Sequence, residues 1–246
     1  MHNFSFVAKI FLVTKKHLFS LTSRLKLCGI IILGIIALPV AEEKKNSTNL
    51  VAKSPRVPSI GIKIPEDIYR SLRKESDTLR QKINQLNVQH SKNSALLNLI
   101  PDIQVFHKAI DWGLRHQNFY KENEFKIAKK LLEEANTRAT QLANGKSPWT
   151  RKSGLVVRGY ISKIDNSIQP YGLVIPKSYT TDPWRKRRLD IWLHGRDNKL
   201  SELKFIHQRQ TDFGQFTPID TIVLHPYGRF CNAFKFAGEM DVIEAL

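Results

Sequence analysis

The stretch Arg188-Leu189-Asp190-Ile191-Trp192-Leu193-His194-Gly195-Arg196 decides what kind of fold this chain can adopt. Leu189, Ile191, Trp192 and Leu193 are residue types that fill a strand covered on both faces. The strand stops at His194-Gly195, where glycine permits a sharp turn of the backbone. Further on, Thr221-Ile222-Val223-Leu224-His225-Pro226-Tyr227-Gly228 repeats the design, and Leu200-Ser201-Glu202-Leu203-Lys204-Phe205-Ile206 between them has helical character. Strand, crossover helix and strand make one βαβ unit of a parallel sheet. Ligands in such sheets bind beyond the carboxyl ends of the strands. The candidate site residues are therefore His194, Gly195 and Arg196 at the end of one strand, with His225, Pro226, Tyr227 and Gly228 at the end of the other.

Working outward, residues 155–161 and 172–176 read as two further strands. Asp165-Asn166-Ser167 between them is a polar turn, so an antiparallel hairpin is expected. Ser147-Pro148-Trp149 breaks the preceding helical pattern and marks an expected boundary between residues 61–146 and 147–246. In the first of these, Pro65 with Glu66 and Asp67 opens a helix, and Ile68, Leu72, Leu79, Ile83 and Leu86 form its apolar stripe. Pro101-Asp102 opens a second helix, and a third runs over 121–144 with Gly145 as its stop. Three amphipathic helices make a small helical module. His107, Asp111 and Trp112 are close on the second helix, and polar surface groups beside a core tryptophan explain them adequately.

Residues 1–41 carry five Lys/Arg and no acid, and an apolar run over 27–41 ends before Glu42-Glu43-Lys44-Lys45. That is the layout of an export signal, either cleaved or retained as a membrane anchor. The run is shorter than the roughly 20 residues that span a bilayer comfortably. Residues 42–60, rich in Lys, Ser, Asn and Pro, read as a flexible linker. The expected location is periplasmic or extracellular, with a membrane contact only if the signal stays attached. The net charge of +17 is spread along the chain apart from Arg185-Lys186-Arg187-Arg188. A nucleic-acid binder concentrates such an excess on one element, so no nucleic-acid partner is expected. With Cys28 in the signal and Cys231 as the second cysteine, no Cys/His metal spacing exists, and neither a metal nor a cofactor is expected. Cys231 reads as a small buried hydrophobe.

The order of these pieces resembles the α/β-hydrolases, and within them the exported prolyl-oligopeptidase-like serine hydrolases with a helical N-terminal segment. The resemblance rests on Arg158-Gly159-Tyr160, Gln169-Pro170-Tyr171-Gly172, residues 189–196, residues 225–229 and residues 238–242. It implies an α/β fold: a hydrolase sheet begun by a hairpin and its first parallel strands, preceded by the helical module. It implies an ester or peptide substrate attacked by a serine that a histidine activates and an acid orients. The loop after the third strand supplies one backbone donor of the oxyanion hole, which matches Gly195 and Arg196. The resemblance casts His194, Tyr227, Gly228 and Arg229 as the pocket rim, with Arg229 equally able to pair with Glu239 or Asp241.

No Gly-x-Ser-x-Gly occurs in the chain. The resemblance puts the nucleophile after the next strand, beyond Leu246, with the rest of the triad following it. The chain is thus expected to be an inactive front portion of a hydrolase, with strand 220–224 as an exposed hydrophobic edge. A non-catalytic exported binding or interaction module is the alternative that the missing triad favours.

Overall fold

The computed structural model describes residues 58–246 except Cys231 and Ala233. The expected signal over 1–41, nearly all of the linker over 42–60, and Cys231 lie outside the described residues. Helix α1 (Glu66–Gln89) starts behind Pro65 with Glu66 and Asp67 in its first turn, and buries Leu72, Leu79, Ile83 and Leu86. The His90 ring that ends it bonds the Leu142 carbonyl at 3.0 Å, which ties it to a later helix. A one-turn helix α2 (Ser94–Leu97) is capped by Asn93. Helix α3 (Pro101–His116) follows and stops at Gln117, whose φ of 54° satisfies the last turn in the left-handed conformation. Helix α4 (Asn123–Ala143) completes the helical layer, and a 3-10 turn over Pro148–Arg151 leads into the sheet.

Strands β1 (Gly154–Ile161) and β2 (Ile168–Ile175) form the expected antiparallel hairpin, in register from Gly154 opposite Ile175 to Ile161 opposite Ile168. A short helix α5 (Ser178–Thr181) precedes β3 (Arg188–Ile191). Helix α6 (Glu202–Thr211), capped by Ser201, connects β3 to β4 (Thr221–Pro226), and α7 (Ala237–Glu244) ends the described chain. β3 and β4 are parallel, β4 is antiparallel to β2, and the order across the sheet is β1-β2-β4-β3. The architecture is α/β: helices on a small mixed four-stranded sheet.

That order corrects two expectations. β4 is not an exposed edge: it lies between β2 and β3, and Val223 and Leu224 are buried. β3 is the edge strand, so it is not covered on both faces. Leu189, Asp190 and Ile191 are half-buried, while Trp192 and Leu193 are 38% and 49% exposed. Just before β4, Asp220 adopts φ 55° and Ile219 is 97% exposed. The expected boundary at 146/147 separates two sequence patterns but not two cores. The described residues belong to one unit, in which Leu79, Phe106 and Leu132 of the helices share a cluster with Val157, Phe205 and Tyr227.

Asp102 joins the two halves. Its carboxylate, fully buried at the start of α3, accepts from Trp149 Nε1 at 2.8 Å, Arg158 Nε at 3.0 Å and the Gly159 N–H at 2.8 Å. Arg138 of α4 donates to the carbonyls of Asp102 and Val157 and lies over the rings of Phe106 and Trp149. Burial lowers the Arg138 pKa, and Glu134 opposes that shift. Gly159 is required here: a Cβ on it would lie 2.4 Å from the Pro101 carbonyl oxygen, so only glycine lets β1 meet the end of α3. A second buried link is Lys108 with Glu202 at 2.7 Å, where burial pushes the carboxyl pKa up against the pull of the lysine.

Candidate functional site

The parallel pairing of β3 with β4 sets Ile191 opposite Leu224, and the Trp192 N–H still bonds the Leu224 carbonyl at 2.8 Å. Both strands therefore end at the same level, and their following loops meet. The His194 ring bridges them, with Nδ1 2.9 Å from the Gly195 carbonyl and Nε2 2.9 Å from the Tyr227 carbonyl. Phe234 packs against the same ring at 4.9 Å between centroids. His194 is thus the contact that brings the two expected loops into one site.

Gly195 and Arg196 are exposed. Among the described residues no hydrogen bond engages either N–H. The sharp turn expected to need glycine is not what the backbone shows. Gly195 lies outside the left-handed region, and a Cβ there would meet nothing within 4 Å. Nothing inside the described fold explains glycine at 195. The Arg196 guanidinium reaches only sideways, to the Asn198 side-chain oxygen at 3.2 Å.

The other three residues are built into the protein. Tyr227 and Gly228 are buried, so they do not form an open rim. The Tyr227 hydroxyl donates to the Leu200 carbonyl at 3.0 Å. Arg229 is held by ion pairs: its Nε lies 3.0 Å from Asp241, its Nη1 2.5 Å from Asp165, and its Nη2 donates to the Ser162 hydroxyl at 2.6 Å. That arginine clamps the hairpin turn to the first turns of α7, which is the ion-pair role weighed from sequence. Its hydrogen bonds hold the Asp165 carboxyl well below the usual range, whereas burial raises that of Asp241.

Sequence reasoning placed His225 at this end of the sheet but missed its partner, Arg209. His225 is the last-but-one residue of β4 and is buried, with its Nδ1 2.9 Å from Arg209 Nη1 of α6. The signal was available, since His225 precedes Pro226-Tyr227-Gly228 as His194 precedes Gly195, but no spacing rule links a strand histidine to a helix arginine. Trp192, stacked on Phe216 at 5.7 Å, and Leu200 and Phe205 wall a small cavity of about 40 Å³ beside them.

Elsewhere, three residues of the basic cluster are paired: Arg185 and Arg187 with Asp220, and Arg188 with Asp190. On α3, Asp111 bridges Arg73 and Arg115, and Lys108 sits over Trp112. No group of His, Cys, Asp and Glu suited to a metal ion, and no helix long and apolar enough to cross a membrane, occurs among the described residues. Compared with known proteins, the chain matches no family model, no curated protein and no solved structure.

Proposed function

We propose that this chain is the front portion of an exported serine hydrolase of ester or peptide bonds, and that it supplies the oxyanion loop, Gly195 and Arg196. The observation that carries the reading is that no hydrogen bond among the described residues engages the N–H of Gly195 or of Arg196, with a glycine the described fold does not need, at the carboxyl end of a parallel strand. A substrate oxyanion needs donors aimed at it and a backbone it can approach closely. One such donor is worth about 10²–10³ in rate. The edge position of β3 adds support: a further parallel strand joining that edge would end beside His194-Gly195-Arg196. A serine on the turn after it would then face this loop, so that one N–H of the loop and the N–H following the serine would together hold the oxyanion. Export rests on the signal-like residues 1–41.

The test is labelling with a serine-directed fluorophosphonate. Residues 1–246 alone remain unlabelled, whereas the product of a reading frame extended through the next strand and helix is labelled. Gly195→Val in the extended product slows labelling by about 10²-fold, because the side chain displaces the acyl group from its donors. Labelling of residues 1–246, or an extended product that never reacts, overturns the reading.

A further inference from the structure

We propose that the cavity between β4 and α6 is a carboxylate-binding pocket, with the His225 Nε2–H and the Arg209 guanidinium as its donors. Arg209 carries only N–H groups, so its 2.9 Å contact makes His225 Nδ1 the acceptor and puts the proton of the neutral ring on Nε2. That nitrogen is buried and has no hydrogen-bond partner. Burial first, then the Arg209 charge, push the His225 pKa down to about 4, which keeps the ring in this form at neutral pH. A buried donor left without an acceptor is costly, and His225 lines a cavity of about 40 Å³. At about 10–15 Å³ for one water-sized group, the cavity holds a carboxylate head with little to spare.

The charge of Arg209 selects an anion over water. Among the described residues no carboxylate lies within ion-pair distance of it, and burial lowers its pKa with only a distant pull from Asp212. The position is built for this arginine. Gly172 lies opposite His225 in the β2–β4 register, and a Cβ there would be 2.6 Å from Arg209 Cγ. Glycine at 172 thus lets the arginine stem cross the strand and reach the histidine. Trp192, Leu200 and Phe205 supply an apolar wall, so a monocarboxylate with a short hydrocarbon tail fits the chemistry. His194 and Gln208 also line the pocket, whose reading does not depend on acyl transfer at Gly195.

The experiment is nitrogen-15 NMR of the imidazoles in the full chain, titrated with propionate, with propionamide, and with sodium chloride at matched ionic strength. Propionate shifts the His225 Nε2 signal saturably, while propionamide binds more weakly and chloride leaves the signal in place. Arg209→Met weakens propionate binding about ten- to hundredfold, the range expected for one charged hydrogen bond. Leu200→Phe fills the cavity without altering either donor and abolishes the response, so the idea stays testable should the arginine variant fold poorly. A response no larger than that to chloride, equal binding of the amide, or unchanged affinity in Leu200→Phe overturns the proposal.

Discussion

The seam between α3, α4 and β1 and the open edge at β3 treat similar residues in opposite ways. At the seam, Trp149 is buried and donates its indole N–H to Asp102. At the edge, Trp184 is 88% exposed, and Trp192 and Leu193 stand partly in solvent. The seam satisfies a fully buried carboxylate with three donors and surrounds it with apolar side chains. The edge has one neighbour and leaves apolar groups uncovered. The difference teaches where the described fold is closed on itself, and the open part is where the proposed oxyanion loop and the proposed carboxylate pocket lie. Exposed apolar surface of this sort marks places where further structure or a ligand packs.

The sharpest way to break the contrast is at the seam. Asp102→Ala strands Arg158, the Trp149 indole and the Gly159 N–H, and is expected to cost about 3–5 kcal/mol in urea unfolding. A loss under about 1 kcal/mol would mean that the seam does not hold the halves together. Next in size is a pH effect at the sheet end. The folded state keeps His225 neutral down to about pH 4, whereas an unfolded histidine protonates near pH 6.5. The unfolded chain therefore binds the proton first, and stability falls as pH drops through that window, by no more than about 3 kcal/mol. Unfolding free energies of the wild type and His225→Gln compared between pH 7 and 4 measure it, and parallel curves would exclude the effect. The smallest change is expected at the edge: Trp184→Ser shifts stability by less than about 0.5 kcal/mol, read in the same assay. A larger loss would show that this face is covered.

Much of the fold was legible because periodicity and punctuation are local. The stripe 72, 79, 83, 86, the Pro65 and Pro101 starts, and the Asp165-Asn166-Ser167 turn each imply their element without reference to the rest of the chain. The candidate site was legible only in part. Residues 194–196 and 227–229 do converge, because parallel strands must end on one side of a sheet. Of the second loop, only the Arg229 pairing with Asp241 was open to sequence reasoning; the Tyr227 and Asp165 contacts were not. Leu200 and Asp165 are distant in sequence from the residues they meet.

By itself the sequence determined the helices, the hairpin, the βαβ unit and the two loops at its end, since these depend on residue periods and turn chemistry that act over a few positions. Tertiary structure alone decided the strand order, and with it that β4 is interior and β3 is the open edge. It alone decided that Asp102 is the joint between helices and sheet, that Gly195 is free of any internal requirement, and that His225 meets Arg209 across Gly172. Burial, close approach and the pairing of distant charges exist only once the layers have packed, and no local pattern encodes them.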